Sequence, residues 1–511
     1  MKYSSPTLFK LGSIAAALAS ILTLVACGGG GSSSDSTASS GSGASTASYS
    51  GAVSGLGSVI VNGVRFSTTG ADTADSDSPD QPFVRPIGLG STVTVTGSVN
   101  ADGTTGTAST ITVHGGVRGQ VTAIASSTFT VAGQVITVDS NTVWDGSTAN
   151  FNLSALQANV TYVEVYGVVD ASGNFTATRV EQLTAAPTEF AIKGLVANLD
   201  TTGHSFDLAL RSGVTAHVSY ADNIVKPAAA NLVAGADVRV LLGSSAITSI
   251  NGTSSGTVNV TADKVLVKKE RQANGMPSKL QGAITVVTAG TTWKIGDVTI
   301  DISQSPTVED GLNLSTITTG TIVKVKGSFS NGVLVAQEVE ADNHERTQTD
   351  GGVKLFGAVS ASDSNAQTFV VQGVTVTMSN TTVGSLPAVG AYVEVLARPL
   401  GTPAVLTAIA VNTPQAGPTP RRFELYGSAP CTAGTSDLSG TFTLTLRDGS
   451  LTVDGSAATI STGRNVDMTV SNTPLNCLVE VKGSMSTVNN VRTLSATTIE
   501  VKKRAASVSL R

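Results

Sequence analysis

Apolar and polar residues alternate along most of this chain, and the alternation returns in blocks. Val163-Glu164-Val165-Tyr166-Gly167 is one member of a set that includes VTVTG at 93–97, VRVLLG at 238–243, VKVKG at 323–327, VEVLA at 393–397 and VEVKG at 479–483. Valine takes every second position in each, the period of a strand with one buried face. Three further features surround every member in a constant order. A glycine followed by a small apolar pattern opens the unit, at Gly51, Gly119, Gly194, Gly282, Gly357 and Gly427, in steps of 68, 75, 88, 75 and 70 residues. Two alternating segments then meet at a corner: Asn62-Gly63, Ala132-Gly133, Ser212-Gly213, Gly296-Asp297, Gln372-Gly373 and Asp454-Gly455. Asn-Gly tolerates the positive φ angles that a two-residue hairpin requires. After the valine motif comes a closing segment, as in ASTITVHG (108–115), FTATRVEQL (175–183), VTADKVLVKK (260–269), LVAQEVEAD (334–342), LTAIAVN (406–412) and LSATTIEVKK (494–503).

Each unit therefore predicts a strand, a two-stranded hairpin, an irregular segment and two more strands. Five short antiparallel strands remove their open edges most economically by curling into a small barrel. The expected fold class is all-β, with six tandem five-stranded barrels of OB-like form; a small open sandwich is the alternative. The boundaries run 48–115, 116–185, 188–270, 278–343, 352–413 and 421–503, with a tail at 504–511. Units this small bury only about 60% of their unfolded-chain surface and are marginal alone. Neighbours are expected to lean on one another through connectors such as TAAPTE (184–189) and NTPQAGPTPR (412–421).

The amino terminus breaks the alternation. Residues 1–26 carry Lys2 and Lys10, no acid, and the apolar run LGSIAAALASILTLVA ending at Ala26. A basic start, an apolar stretch and small residues at its end predict a secretory signal. Leu24-Val25-Ala26-Cys27 resembles a bacterial lipobox, which implies cleavage before Cys27 and lipid on its sulfur. Each buried CH₂ of such a chain contributes about 0.8 kcal/mol to membrane anchoring. Gly28 stands where an acidic residue signals inner-membrane retention, so the resemblance implies the outer membrane of a bacterial cell envelope. Residues 27–47, rich in Gly and Ser, read as a flexible tether.

Charge narrows the classes of partner. Without residues 1–26 the chain has 29 basic and 36 acidic residues, a net charge of −7. Charged residues make up 13% of the sequence, against about 25% in ordinary soluble domains. An acidic balance argues against nucleic acid, whose binding depends on a basic face. With Cys27 assigned to lipid, Cys431 and Cys477 remain, 46 residues apart. Outside the cytoplasm such a pair is expected to form a disulfide, worth about 4 kcal/mol on a chain-entropy argument.

The opening GxV, the hairpin, V-x-V-x-G and the closing L-x-A-x-x-I/V-E together resemble the bacterial repeats known as domain of unknown function 5666. The resemblance spans roughly residues 48–503 and is clearest in the first, second and fourth units. In the third the glycine is displaced to Gly243, and in the fifth Ala397 replaces it. The family brings no known activity, so the resemblance implies architecture and export only.

Chemistry is sparse. There is no P-loop, HExxH, CxxC or dinucleotide GxGxxG. Gly252-Thr253-Ser254-Ser255-Gly256 matches a nucleophile elbow in letters, but a strand pattern follows where a helix is required, so a polar hairpin turn is expected. His114, His204, His217 and His344 fall at non-equivalent places and read as surface or strand-end residues. Asp72, Asp75, Asp77 and Asp80 offer hard oxygen atoms suited to calcium, without the spacing of a calcium-binding loop. Glu338, Glu340 and Asp342 before His344 read as a solvated strand end. Tyr162 and Tyr166 flank Glu164 on one strand face, placed to stack on a sugar or to pack on the next unit.

These observations predict no catalytic residue, no metal and no cofactor. The expected function is a lipid-anchored, non-enzymatic envelope protein, a binder or spacer. Its candidate partners are the membrane through Cys27 and an envelope protein or polysaccharide; the alternative is an envelope hydrolase or other enzyme with a site between modules.

Overall fold

The valines of the six motifs all point inward. Val93, Val95, Val163, Val165, Val238, Val240, Val323, Val325, Val393, Val395, Val479 and Val481 are each at most 1% exposed. The structure, a computed structural model, describes residues 46–78, 87–100, 103–139, 141–146, 151–270, 272–288, 291–309, 312–341, 353–400, 405–412, 423–446, 449–462, 466–488 and 491–506. The chain is all-β, with one α-helix among the described residues, Ser244–Gly252. The signal segment, Cys27 and most of the tether lie outside the described residues. Thr46 and Ala47, expected in the tether, already belong to the first strand.

The first unit shows the plan. Its first strand, Thr46–Leu56, pairs antiparallel with Val59–Val61, which pairs with Val64–Ser67. The third strand runs parallel to the fifth, Thr105–His114. The fifth pairs with the motif strand Thr92–Val99, which returns to the first. The ring is closed in the order first, second, third, fifth, fourth. The second unit repeats it with Val117–Ile124, Thr128–Val131, Gln134–Thr137, Tyr162–Val169 and Phe175–Leu183. The irregular segment carries a further short strand, not expected from the pattern. Asp72–Asp75 and Val143–Asp145 each lie parallel to the fifth strand of their unit.

Local chemistry explains two recurrent glycines. At the hairpin corners Asn62, Ala132 and Gln372 have φ of 50, 49 and 54°, each followed by glycine at positive φ. Both central residues are thus left-handed, as a twist-matched two-residue turn demands. The sixth unit departs from expectation: its hairpin joins Thr441–Leu446 to Gly449–Asp454, so Asp454-Gly455 is not the corner. Asp454 instead ends the third strand, its carboxylate accepting from Ser456 N. The motif glycine has a different role. The register shifts between Thr96 and Gly97, Tyr166 and Gly167, Lys326 and Gly327, and Lys482 and Gly483. At this bulge a Cβ would come within 2.0–2.1 Å of a carbonyl oxygen on the fifth strand.

The expectation of six separate barrels is corrected. The early half of a first strand uses one edge for its own fourth strand and leaves the other open, and the units join through that edge. Thr46–Leu56 pairs in parallel with Pro277–Thr288 of the fourth unit, Tyr49 opposite Lys279. Its end pairs with Val353–Asp363 of the fifth, Leu56 opposite Leu355. A 17-stranded sheet of the described residues therefore spans units one, four and five. The second and third units meet at Arg118 and Ala191, and their cores merge into one cluster containing Phe129, Phe175, Phe206 and Leu208. The packing does not follow chain order. The first unit touches all the others, including the sixth, where Thr68 Oγ1 donates to Glu480 Oε1 at 3.0 Å.

Candidate functional site

The residue between the two motif valines points away from its own core, yet in four copies it is buried. Thr94, Glu164, Arg239 and Glu480 are 9%, 1%, 4% and 1% exposed. Thr94 bonds Ser50 and His114 of its own unit, whereas Glu164, Arg239 and Glu480 meet other copies. Arg239 Nη2 of the third unit lies 2.8 Å from Glu164 Oε1 of the second. Asp77 of the first unit takes Arg239 Nη1 on both oxygens, at 2.7 and 2.6 Å. Arg118 Nη2 donates to Asp77 at 3.0 Å, and its Nε donates to Glu164. Arg118, Asp77, Arg239 and Glu164 form a closed ring of alternating charge from three units. Lys264 Nζ adds a bond to the Asp77 carbonyl at 3.0 Å. Desolvated charges of this kind are tolerated only when each is paired.

A cavity of about 50 Å³ opens where units one to four converge. His114, Lys193, Asp237, Lys268, Glu270 and Asp297 are among its lining residues. His114 Nε2 and Thr94 Oγ1 are 2.9 Å apart. Burial, with Lys268 and Lys193 nearby, holds the His114 pKa well below the usual histidine value, so the ring stays neutral. Burial also lowers the Lys193 pKa, against the pull of Asp237 at 3.3 Å. Lys268 is shifted the other way: burial opposes its charge, but Glu270, Asp237 and Asp297 together outweigh it. The space takes a few water molecules, well below the roughly 300–1,000 Å³ of a small-molecule site.

The remaining sequence-derived candidates are dispersed. Cys27, Asp80, Asp342 and His344 lie outside the described residues. Cys431 and Cys477 are joined in the sixth unit with Cα atoms 5.7 Å apart and both side chains fully buried. Asp75 is buried and accepts from Asp77 N, while Asp72 is exposed. The Asp77 carboxylate faces two arginines, so the calcium reading of this stretch loses its best ligand. His217, on the outer face of a third-unit strand, lies 2.7 Å from Asp207, and His204, in the turn before Ser205–Arg211, lies 3.2 Å from Asp222. Tyr166 packs into the core of the first unit rather than of the next in sequence. Gln120 Nε2 donates to the Tyr162 hydroxyl at 3.2 Å.

Ser254 is no elbow: a helix precedes it and a strand, Gly256–Thr261, follows. The expected hairpin turn is replaced by that helix, which seats Ile247 and Ile250 in the shared core. Glu309, Glu338 and Glu340 bring carboxylate oxygens within 4.8 Å of one another. Lys279 and Lys326 face them, with Lys326 Nζ 3.0 Å from Glu338. A hydrogen bond from Glu340 and those lysines hold Glu338 down to about 2, while burial and Glu338 raise Glu340.

What the fold and its junction define is a β-repeat scaffold whose copies are bound to one another through buried charge. Residues 118–181, 281–340 and 356–411 match the family model described as Domain of unknown function (DUF5666), so the chain carries tandem repeats of that family. The matched segments fall in the second, fourth and fifth units; the fifth is matched although Ala397 takes the place of the motif glycine. No curated protein matches the chain.

Proposed function

We propose that this is a lipid-anchored protein of the bacterial cell envelope, held in the outer membrane by lipid on Cys27, with a non-enzymatic binding or structural role. In this reading the repeat has an OB-like strand order, supported by the closed ring of the first two units and by the parallel pairing of third and fifth strands, with the copies joined through shared sheets and a shared core. The observation that carries the role is the charged junction. Its ionisable groups neutralise one another in pairs, and the cavity beside them admits only a few waters, whereas a catalytic site needs a group free to meet a substrate. Contact of the first unit with every other favours a compact scaffold over an extended spacer. An envelope protein or polysaccharide is the proposed partner. Exposed sheet faces such as that bearing Asp207, His217 and Asn259 offer polar groups in register. OB-like barrels commonly take up oligosaccharides on the corresponding surface.

Two measurements test the proposal. Labelled palmitate should enter the wild-type chain and not the Cys27→Ala variant; an unlabelled wild type removes the anchor. A panel of chromogenic ester, phosphate and glycoside substrates should give no turnover. Turnover abolished by His114→Ala would establish instead an enzyme with its site between modules.

A further inference from the structure

The outer face made by the first, fourth and fifth strands is where these repeats meet one another. Its second motif position is buried in units one, two, three and six. In the fourth unit the same face is partly covered, since buried Gln281 accepts from Ala52 N of the first unit at 2.9 Å. In the fifth unit Arg65 of the first lies over the Phe356 ring at 4.3 Å, and Ala358 and Tyr392 pack against the sixth unit, but the motif position itself is open. Glu394 is exposed, as are Lys354 and Asn412 on the flanking strands. The register places Phe356, Glu394 and Asn412 in one row and Lys354, Leu396 and Ala410 in the next. Val383 extends the second row by a bridge to Ala410 and is 68% exposed. Neither Lys354 nor Glu394 has an ion-pair partner among the described residues, whereas Glu164, Arg239 and Glu480 at the equivalent site are all paired.

We infer that this face of the fifth unit docks on the same face of a second copy of the chain. It continues the surface by which the repeats already bind one another. It also carries both signs of charge beside an apolar strip of Leu396, Ala410 and Val383. A two-fold axis through that strip sets Glu394 of each copy against Lys354 of the other, since an isologous contact pairs residues reciprocally. An apolar centre with a charged rim is the usual anatomy of such an interface. A partner of a single strong charge is not matched by a face that carries Glu394 together with Lys354 and, over Phe356, Arg65 of the first unit.

Sedimentation velocity of the full chain in mild detergent, over a concentration series, tests this. The wild type should form a dimer. Glu394→Lys and Lys354→Glu should each weaken it by about tenfold or more, because like charges then face each other twice. The double reversal should restore association, since it exchanges the signs and keeps them complementary. Thermal unfolding of all four proteins at a concentration too low for association should coincide, as both positions are exposed. A wild type that stays monomeric, single reversals without effect, or a double reversal that fails to recover overturns the inference.

Discussion

The second and third units share one hydrophobic core and contain no cysteine, whereas the sixth has a core largely its own, closed by a disulfide. The shared core holds Phe129, Phe151, Phe175 and Phe206. Among the side chains described, the sixth unit's buried core has one phenylalanine, Phe442, and includes the two cysteines themselves. A repeat too small to be stable alone thus has two remedies, a neighbour's apolar surface or a cross-link that restricts the unfolded chain. The difference teaches that sequence similarity between copies does not imply equal independence. Where units fuse, damage should spread; where a unit is stapled, it should stay local.

The sharpest way to break this comparison is at the charged ring. Arg239→Met leaves two carboxylates, Asp77 and Glu164, with Arg118 as their one remaining arginine partner in the ring. Loss of one partner of a buried pair costs about 3–5 kcal/mol. Native-state hydrogen exchange should show protection falling together in Tyr162–Val169 and Phe190–Leu195, one strand from each of two units. A loss confined to the third unit would mean that the merged core is not a cooperative one. Replacing all four ring members by apolar residues of similar volume should cost far less than Arg239→Met alone, because no uncompensated charge remains.

In the sixth unit, Cys431→Ser with Cys477→Ser should cost about 2–4 kcal/mol for a 46-residue separation. The loss should appear in Phe423–Pro430 and Asn476–Val488 and leave the second and third units unchanged. If exchange instead accelerated throughout the chain, the sixth unit would not be the separate body its core suggests. A wild type that releases free thiols without reductant would remove the disulfide altogether.

These contrasts were only partly legible in the sequence. The alternating valines, five of six hairpin corners and the cysteine pair are local signals, set by side-chain period, turn chemistry and number. The burial of the residue between the valines was not legible. Glu164 and Tyr166 point away from their own core, and one copy's pattern cannot distinguish water from another copy's surface. The available signal was the change of sign at one position, Glu164 in the second unit against Arg239 in the third. The helix Ser244–Gly252 was missed for another reason. SSAITSING is rich in serine and β-branched residues, and only the tertiary position of Ile247 and Ile250 makes it helical. The first unit's contact with all others depends on unused strand edges, which leave no periodic trace.

The smallest expected effect concerns pH at the four-unit cavity, and it separates the junction from the stapled unit by condition rather than by mutation. His114 has its folded pKa below the ordinary value of 6.5. Above 6.5 the ring is neutral in both folded and unfolded chains, so it adds no pH dependence. As pH falls from 6.5 toward the folded pKa, the unfolded chain takes up a proton that the folded chain refuses, and stability is lost. The slope from one such group is at most about 1.4 kcal/mol per pH unit. Lys193, Lys268 and Asp77 act on the ring, the two lysines opposing its protonation and Asp77 favouring it. The opening free energy of Thr92–Val99 and Thr105–His114, taken from exchange after correction for the slower intrinsic exchange at lower pH, should therefore fall between pH 7 and pH 5, and His114→Asn should flatten that response. The sixth unit, with none of the chain's four histidines, should show no matching change over this range. An equal response in both regions would mean that carboxylates elsewhere, rather than the neutral histidine at the junction, govern acid sensitivity.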